Sequence, residues 1–309
     1  MHDSSCIEAT SVIQCNMYRS CRPSIYLLTA KPMAHRKPRC FLFDLSGTLV
    51  DPYVTAPVVT LKEVFGVFGI HLSKTQARAS MCHPGPTCPS GILHILHHPA
   101  VSHVWLDRYK RQPTFDDAQV IFRKYEQKHI QLLETQPEFT RLIPDTLETL
   151  NLLRKSYSGT IAITSGYPRK MMDPILHSIR RQGLQIDSSV ASDEIYPKSM
   201  FPGKLSTSLQ RLSQHPDDVL VISGSPADIN EGNRFGCVTV GMATHNGRLG
   251  DMMALDKITP TITKHADYFS GLRRAVKELE YAGADYIIDQ TIESLQDIVD
   301  HINLKRCQS

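Results

Sequence analysis

The chain has 309 residues, with 34 Lys and Arg against 31 Asp and Glu, a formal net charge of +3, and 41 % hydrophobic residues. This balance suits a globular protein and excludes a disordered chain, which is poorer in large apolar residues and more highly charged. It also argues against a nucleic-acid partner, which calls for a dense basic stripe. No window reaches the roughly 18 consecutive apolar residues of a membrane helix, so no membrane partner is expected.

Residues 1–39 mix Ser, Cys, Tyr and Arg without a sustained period. The apolar run Ile25–Ala30 is too short for a signal anchor, and Asp3 and Glu8 argue against a secretory or transit leader. This stretch reads as a disordered tail or upstream extension, with Met33 and a basic run just before the first strand. The expected location is cytoplasmic, and a weak organelle address is the alternative. The eight cysteines are scattered and form no small-scaffold disulfide framework. They are expected to be free thiols.

Cys40–Phe43 reads as a buried strand ending in Asp44, followed by the loop Leu45–Asp51. Val58–Phe68, Ser102–Tyr109 and Asp116–Leu133 have helical spacing, and the last carries Asp116 and Asp117 in its first turn. Ile143–Leu153 is apolar every third or fourth residue and leads back to strands. Thr160–Ile163 is a strand with the loop Thr164-Ser165-Gly166-Tyr167, and Pro168 opens a helix over Arg169–Arg181. Val219–Ile222, Val238–Val240 and Asp285–Ile288 are further strands, with helices toward Phe235 and over Ile292–Ile302. The alternation predicts an α/β fold with a doubly wound parallel sheet. Residues 40–52 and 140–309 form the expected core, and 53–139 a helical cap inserted over the carboxyl edge of the sheet, where ligands bind.

Phe43–Asp51 is similar to the first motif of the haloacid dehalogenase (HAD) superfamily. Thr164–Asp173, Ala56-Pro57, Arg78–Met81, Gln112-Pro113-Thr114 and Ala282–Tyr286 resemble the phosphonoacetaldehyde hydrolase branch of it, over about residues 40–304. The resemblance implies a HAD-like Rossmannoid core with a helical cap, a small-molecule substrate and a homodimer formed through the cap. It implies Asp44 as a nucleophile that becomes an aspartyl-phosphate. Thr164, Ser165, Gly166 and Tyr167 would bind the phosphoryl group together with Thr48. Mg2+ would be held by Asp44, the backbone carbonyl at Ser46 and Asp228.

Several positions depart from the family pattern. Ser46 stands where most HAD phosphatases carry a proton-donating Asp, and a hydroxyl is too weak an acid to replace it. The phosphonoacetaldehyde hydrolases also lack that Asp. Their imine-forming lysine is absent between Met81 and Gly91, where backward alignment puts Cys88 at its place. Ser199 falls at the family's phosphate-balancing arginine. Lys198 could replace it by a one-residue shift, and Lys204 lies further on. Gly224 occupies a metal-binding Asp position, while Asp228 is kept.

Cys82, His83, Cys88, His94, His97 and His98 crowd one stretch, but their spacing matches no common zinc finger. They are expected to be surface histidines of a cap helix and loop cysteines. Met81, Cys82, His83 and Cys88 then form a changed specificity loop. The resulting expectation is a HAD-like hydrolase with altered chemistry on a small phosphorylated, phosphonate or specialised-metabolism substrate. A non-catalytic binding protein, or a lyase or cyclase reusing the fold, is the alternative.

Overall fold

The computed structural model describes residues 25–27, 38–81, 85–195, 203–249 and 262–306. Seven strands form one sheet: β1 (Ile25–Leu27), β2 (Cys40–Asp44), β3 (Thr160–Thr164), β4 (Ser188–Val190), β5 (Val219–Ser223), β6 (Val238–Met242) and β7 (Tyr286–Ile288). Their order is β1-β7-β6-β5-β2-β3-β4. All neighbours pair in parallel except β1, which runs antiparallel to β7 at the edge. The expected disordered tail therefore contains one short paired strand. Most of residues 1–39 lies outside the described residues.

β2 is buried on both faces, as a central strand of a parallel sheet must be. Phe41 and Phe43 enter the main core, whereas Cys40 and Leu42 pack on the opposite side with Val219, Val221 and Cys237. That is why the strand reads as a continuous apolar run rather than as an alternation. Burial also pushes the Cys40 thiol up to about 12, so it behaves as a packing residue.

Between β2 and β3 lie the helices α1 (Ala56–Val67), α2 (Lys74–Ala79), α3 (Pro89–His97), α4 (Pro99–Tyr109) and α5 (Phe115–Thr135). α2 is closed by a Ser73/Gln76 capping box and α5 by Thr114 and Asp117. Val58, Leu61 and Phe65 of α1 share the core with Ile92, Ile95, Trp105, Ile121 and Tyr125. The remaining helices are α6 (Thr146–Tyr157), α7 (Arg169–Arg181), α8 (Lys204–Leu212), α9 (Pro226–Phe235), α10 (Ile262–Tyr281) and α11 (Ser294–Arg306). No described helix is long and apolar enough to cross a membrane. α6 begins three residues later than the apolar spacing suggests. Ile143 instead donates its N–H to the Leu49 carbonyl at 2.8 Å and ties this segment to the loop after β2.

His129 of α5 is fully buried beneath α1. Thr60 Oγ1 donates to the Ala56 carbonyl at 2.9 Å, which uses its single hydrogen. The 2.8 Å contact between His129 Nδ1 and Thr60 Oγ1 is therefore donated by the imidazole. Burial pushes the His129 pKa down to about 3 from 6.5, so the ring is neutral. Above its unfolded pKa both states leave it uncharged. Below that pH only the unfolded chain takes up the proton, and stability falls by up to about 1.4 kcal/mol per pH unit. Denaturant melts of wild type and His129→Gln from neutral to mildly acidic pH should differ by this slope, because the other titrating groups are common to both. Identical slopes for the two proteins would remove His129 as its source.

Candidate active site

The central position of β2 makes the site. β3 pairs on one side of it and β5 on the other, so the crevice at their carboxyl ends is a topological switch point. Asp44, the last residue of β2, stands directly opposite Thr164, the last residue of β3. The loops after β2, β3 and β5 meet there. Thr48 Oγ1, from the first loop, accepts the Gly224 N–H from the third at 3.3 Å. Ser165 Oγ accepts the Tyr167 N–H at 3.1 Å and holds the second loop in a tight turn. Thr48, Thr164 and Ser165 are all buried. A side chain at Gly166 would meet open space, so the backbone there is accessible from the crevice.

Lys204 supplies the positive charge. It opens α8, and its Nζ lies 2.9 Å from Asp228 Oδ1 and 3.9 Å from Asp44 Oδ1. Burial works to lower the Lys204 pKa, but Asp228 and Asp44 outweigh it and keep the ammonium charged. Burial and the neighbouring Asp228 raise the Asp44 carboxyl above the usual range, while Lys204 and the Leu45 N–H act in the opposite direction. The other oxygen of Asp228 accepts the Ser223 hydroxyl at 3.0 Å.

Glu231 of α9 holds this lysine in place from below. Its Oε1 accepts the Leu205 N–H at 3.1 Å and so caps α8 one residue after Lys204. A Cβ on Gly203 would lie 1.9 Å from the same oxygen. Gly203 has an extended backbone (φ −168) that any residue can adopt. A side chain at 203 would therefore have to displace the Glu231 carboxylate from its cap, while the backbone conformation itself does not demand glycine.

The loop after the first motif is strained. Asp51, Tyr53 and Val54 have φ of 47, 69 and 50, and a β-branched residue rarely adopts such values. Two features hold the loop. The buried Asp51 carboxylate caps α1 by accepting the Thr55 and Ala56 N–H groups. Arg78 of α2 donates to the Tyr53 carbonyl at 2.9 Å and to the Gly247 carbonyl at 2.7 Å. Burial pushes Asp51 up to about 7 against the pull of those amides and of Arg78. Above the crevice the rings of Tyr125, His129 and Tyr167 form a chain, with centroids 5.4 and 4.9 Å apart. The Tyr167 hydroxyl interacts with that of Ser46, while Tyr125 Oη and His129 Nε2 are buried without a hydrogen-bond partner among the described residues.

The structure thus brings Asp44, Thr48, Thr164, Ser165 and Asp228 together and adds Lys204. Cys82, His83, Lys198 and Ser199 lie outside the described residues. Met81 is half-buried against the core. Cys88 precedes α3 with its Sγ 3.1 Å from Ser90 Oγ. His94 and His97 are exposed on α3, and His98 Nδ1 caps α4 by accepting the Ala100 N–H at 3.2 Å. Among the described residues no group of three or more His, Cys, Asp or Glu side chains could hold a metal ion.

The described residues offer fewer free ligands than the Mg2+ implied by the family resemblance ordinarily has. Mg2+ calls for near-octahedral oxygen ligands, commonly one or two carboxylates. Asp44 is one such ligand. Asp228 is already committed on both oxygens, to Lys204 and Ser223. Gly224 brings no side chain, and its carbonyl accepts the Asn246 amide at 2.8 Å.

A family model for haloacid dehalogenase-like hydrolases matches residues 38–236, which include every loop of this crevice. The chain belongs to that family. Within the haloacid dehalogenase-like hydrolases it is 28 % identical over 268 residues to the phosphonoacetaldehyde hydrolase of Lactiplantibacillus plantarum, covering 86 % of this chain and 96 % of that one. It is 26 % identical over 274 residues to the bifunctional phosphonoacetaldehyde hydrolase/aminoethylphosphonate transaminase of Clostridioides difficile, spanning 87 % of this chain and 41 % of that protein's length. The crystal structure of a phosphonoacetaldehyde hydrolase-like protein from Oleispira antarctica shares the fold, with a TM-score of 0.74 at 22 % identity over 92 % of this chain and 99 % of that one. The chain is thus a HAD-like hydrolase that resembles the phosphonoacetaldehyde hydrolases.

Proposed function

We propose that the chain hydrolyses a small phosphorylated or phosphonate substrate through an Asp44 phosphoenzyme. The placement of Lys204 against both Asp44 and Asp228, with Thr164 in register opposite Asp44, carries this reading. An Asp44 oxygen attacks phosphorus, the bond to the leaving group breaks, and the leaving group takes the electron pair. Water then attacks the aspartyl-phosphate, returning the carboxylate and releasing phosphate. Lys204 balances the charge on the transferring group. Thr164, Ser165 and the Gly166 backbone would orient its oxygens, with Thr48 steadying the loops between them. Lys198 is a further candidate cation for this site. The helices of 53–139 would act as a cap, and Ser46 would lie beside Asp44 at the edge of the phosphoryl site. Met81, Cys82, His83 and Cys88 would shape its specificity. A homodimer through the cap and a cytoplasmic location complete the reading.

Ser46 leaves the site without a carboxylic acid for the leaving group, and Cys88 stands where the family's imine lysine is expected. The reaction therefore favours leaving groups that depart unprotonated. Acetyl phosphate should be hydrolysed at least ~10²-fold faster than a simple alkyl phosphate, the low end of what a general acid supplies. Equal rates would point to an unrecognised acid and overturn this assignment. The second reading is a non-catalytic binding protein, favoured by Gly224 at the metal-carboxylate position. Mass-spectrometric detection of a phosphoryl adduct at Asp44 after incubation with acetyl phosphate decides between the two.

A further inference from the structure

We propose that the Asp44 site works without a divalent cation, with the Lys204 ammonium as its resident counter-charge. The inference rests on the reading of Asp44 as the phosphoryl-accepting group. Three observations carry it, and each concerns side chains already engaged.

The first is Asp228. Its Oδ1 is 2.9 Å from Lys204 Nζ, and its Oδ2 accepts from Ser223 Oγ at 3.0 Å. Ser223 Oγ also accepts the Ser225 N–H at 2.9 Å, so the hydroxyl is fixed at both ends. Turning Asp228 toward a metal would leave a buried ammonium without its nearest partner, which is costly.

The second is the space at Gly224. A Cβ there would lie 3.1 Å from the Met242 carbonyl oxygen and 3.8 Å from both the Gly47 carbonyl oxygen and Asn246 Nδ2. The space is thus lined by two backbone carbonyls and one amide, with no carboxylate among these neighbours. The Gly224 carbonyl itself accepts the Asn246 amide at 2.8 Å. Neutral groups of this kind do not balance the two positive charges of a metal ion.

The third is the position of Lys204. At 3.9 Å from Asp44 it is close enough to act on the carboxylate and on any oxyanion bound in front of it. Glu231 and Gly203 build the start of α8 around this placement. The carboxylate that a second metal bond needs is gone, and the cation that remains is part of the chain.

The test uses the full-length protein stripped with a chelator. Titration with Mn2+, followed by electron paramagnetic resonance of the free ion, should show the same weak, non-saturating uptake for wild type and Asp44→Asn. Saturable binding of one Mn2+ that Asp44→Asn abolishes overturns the proposal. In parallel, calorimetry of inorganic phosphate in chelator and in millimolar Mg2+ should give the same affinity. Tightening by more than about tenfold with Mg2+ would also overturn it. If phosphate binds in neither buffer and Mn2+ is not taken up, the phosphoryl reading of the site fails while the cation result stands.

Discussion

Lys204→Met should lower turnover by at least ~10²–10³-fold, the range for removing one preorganised donor to a developing oxyanion. The loss should appear in phosphate binding as well as in turnover, because Lys204 carries the charge that attracts the ground state. Two carboxylates close to the lysine, with side chains only 15 % and 12 % exposed, would be left facing one another. One of them will take up a proton, so the fold loses less than a truly stranded pair would cost, up to about 3 kcal/mol. Lys204→Arg keeps the charge and should restore phosphate binding to within about tenfold of wild type. Methionine and arginine variants with equal phosphate affinity would show that Lys204 is only a structural ion-pair partner.

That lysine was hard to find from the sequence. The strands β2, β3, β5 and β6 are continuous apolar runs ending in small-residue loops, and such runs announce a buried parallel sheet. Asp44, Thr164 and Asp228 follow because each lies at or just after a strand end. Lys204 lies beyond Ser199, where ungapped alignment places the family's arginine, so alignment by position points to Lys198 and Ser199 instead. The signal that could have found it is local. Gly203-Lys204 precedes Leu205, Leu209 and Leu212, which share a helical face toward the sheet. α8 escapes a periodicity reading because Ser206, Thr207 and Ser208 occupy buried positions. β4 is Ser-Ser-Val and carries no apolar run, while β1 lies in the short apolar run Ile25–Ala30 but is three residues long at the sheet edge, isolated in a stretch without a sustained period. Glu231 and Asn246 could not be assigned at all, since their roles depend on backbone groups far away in the chain. The same holds for Arg78, which reaches carbonyls 25 and 169 residues distant in sequence.

Asp44→Asn should abolish turnover and yet leave a protein that is more stable and binds phosphate more tightly. The three effects have one origin. In the folded chain burial and Asp228 raise the Asp44 carboxyl, so its ionised form opposes folding at neutral pH. A group raised on folding costs stability above its unfolded pKa, and that cost is relieved as pH falls through the folded one. Asparagine keeps the shape and removes the charge, which should add about 1–2 kcal/mol. Lys204 keeps its 2.9 Å partner Asp228, so no buried cation is stranded. An incoming phosphate then meets the ammonium without the repulsion of a carboxylate in the attacking position. The amide is a far weaker nucleophile than the carboxylate, so no phosphoenzyme forms and hydrolysis stops. Thermal melts, phosphate calorimetry and acetyl phosphate turnover on the same preparation separate the three effects. Retained turnover would move the chemistry away from Asp44. Lost turnover with a large drop in melting temperature would mean that Asp44 serves the fold more than the reaction.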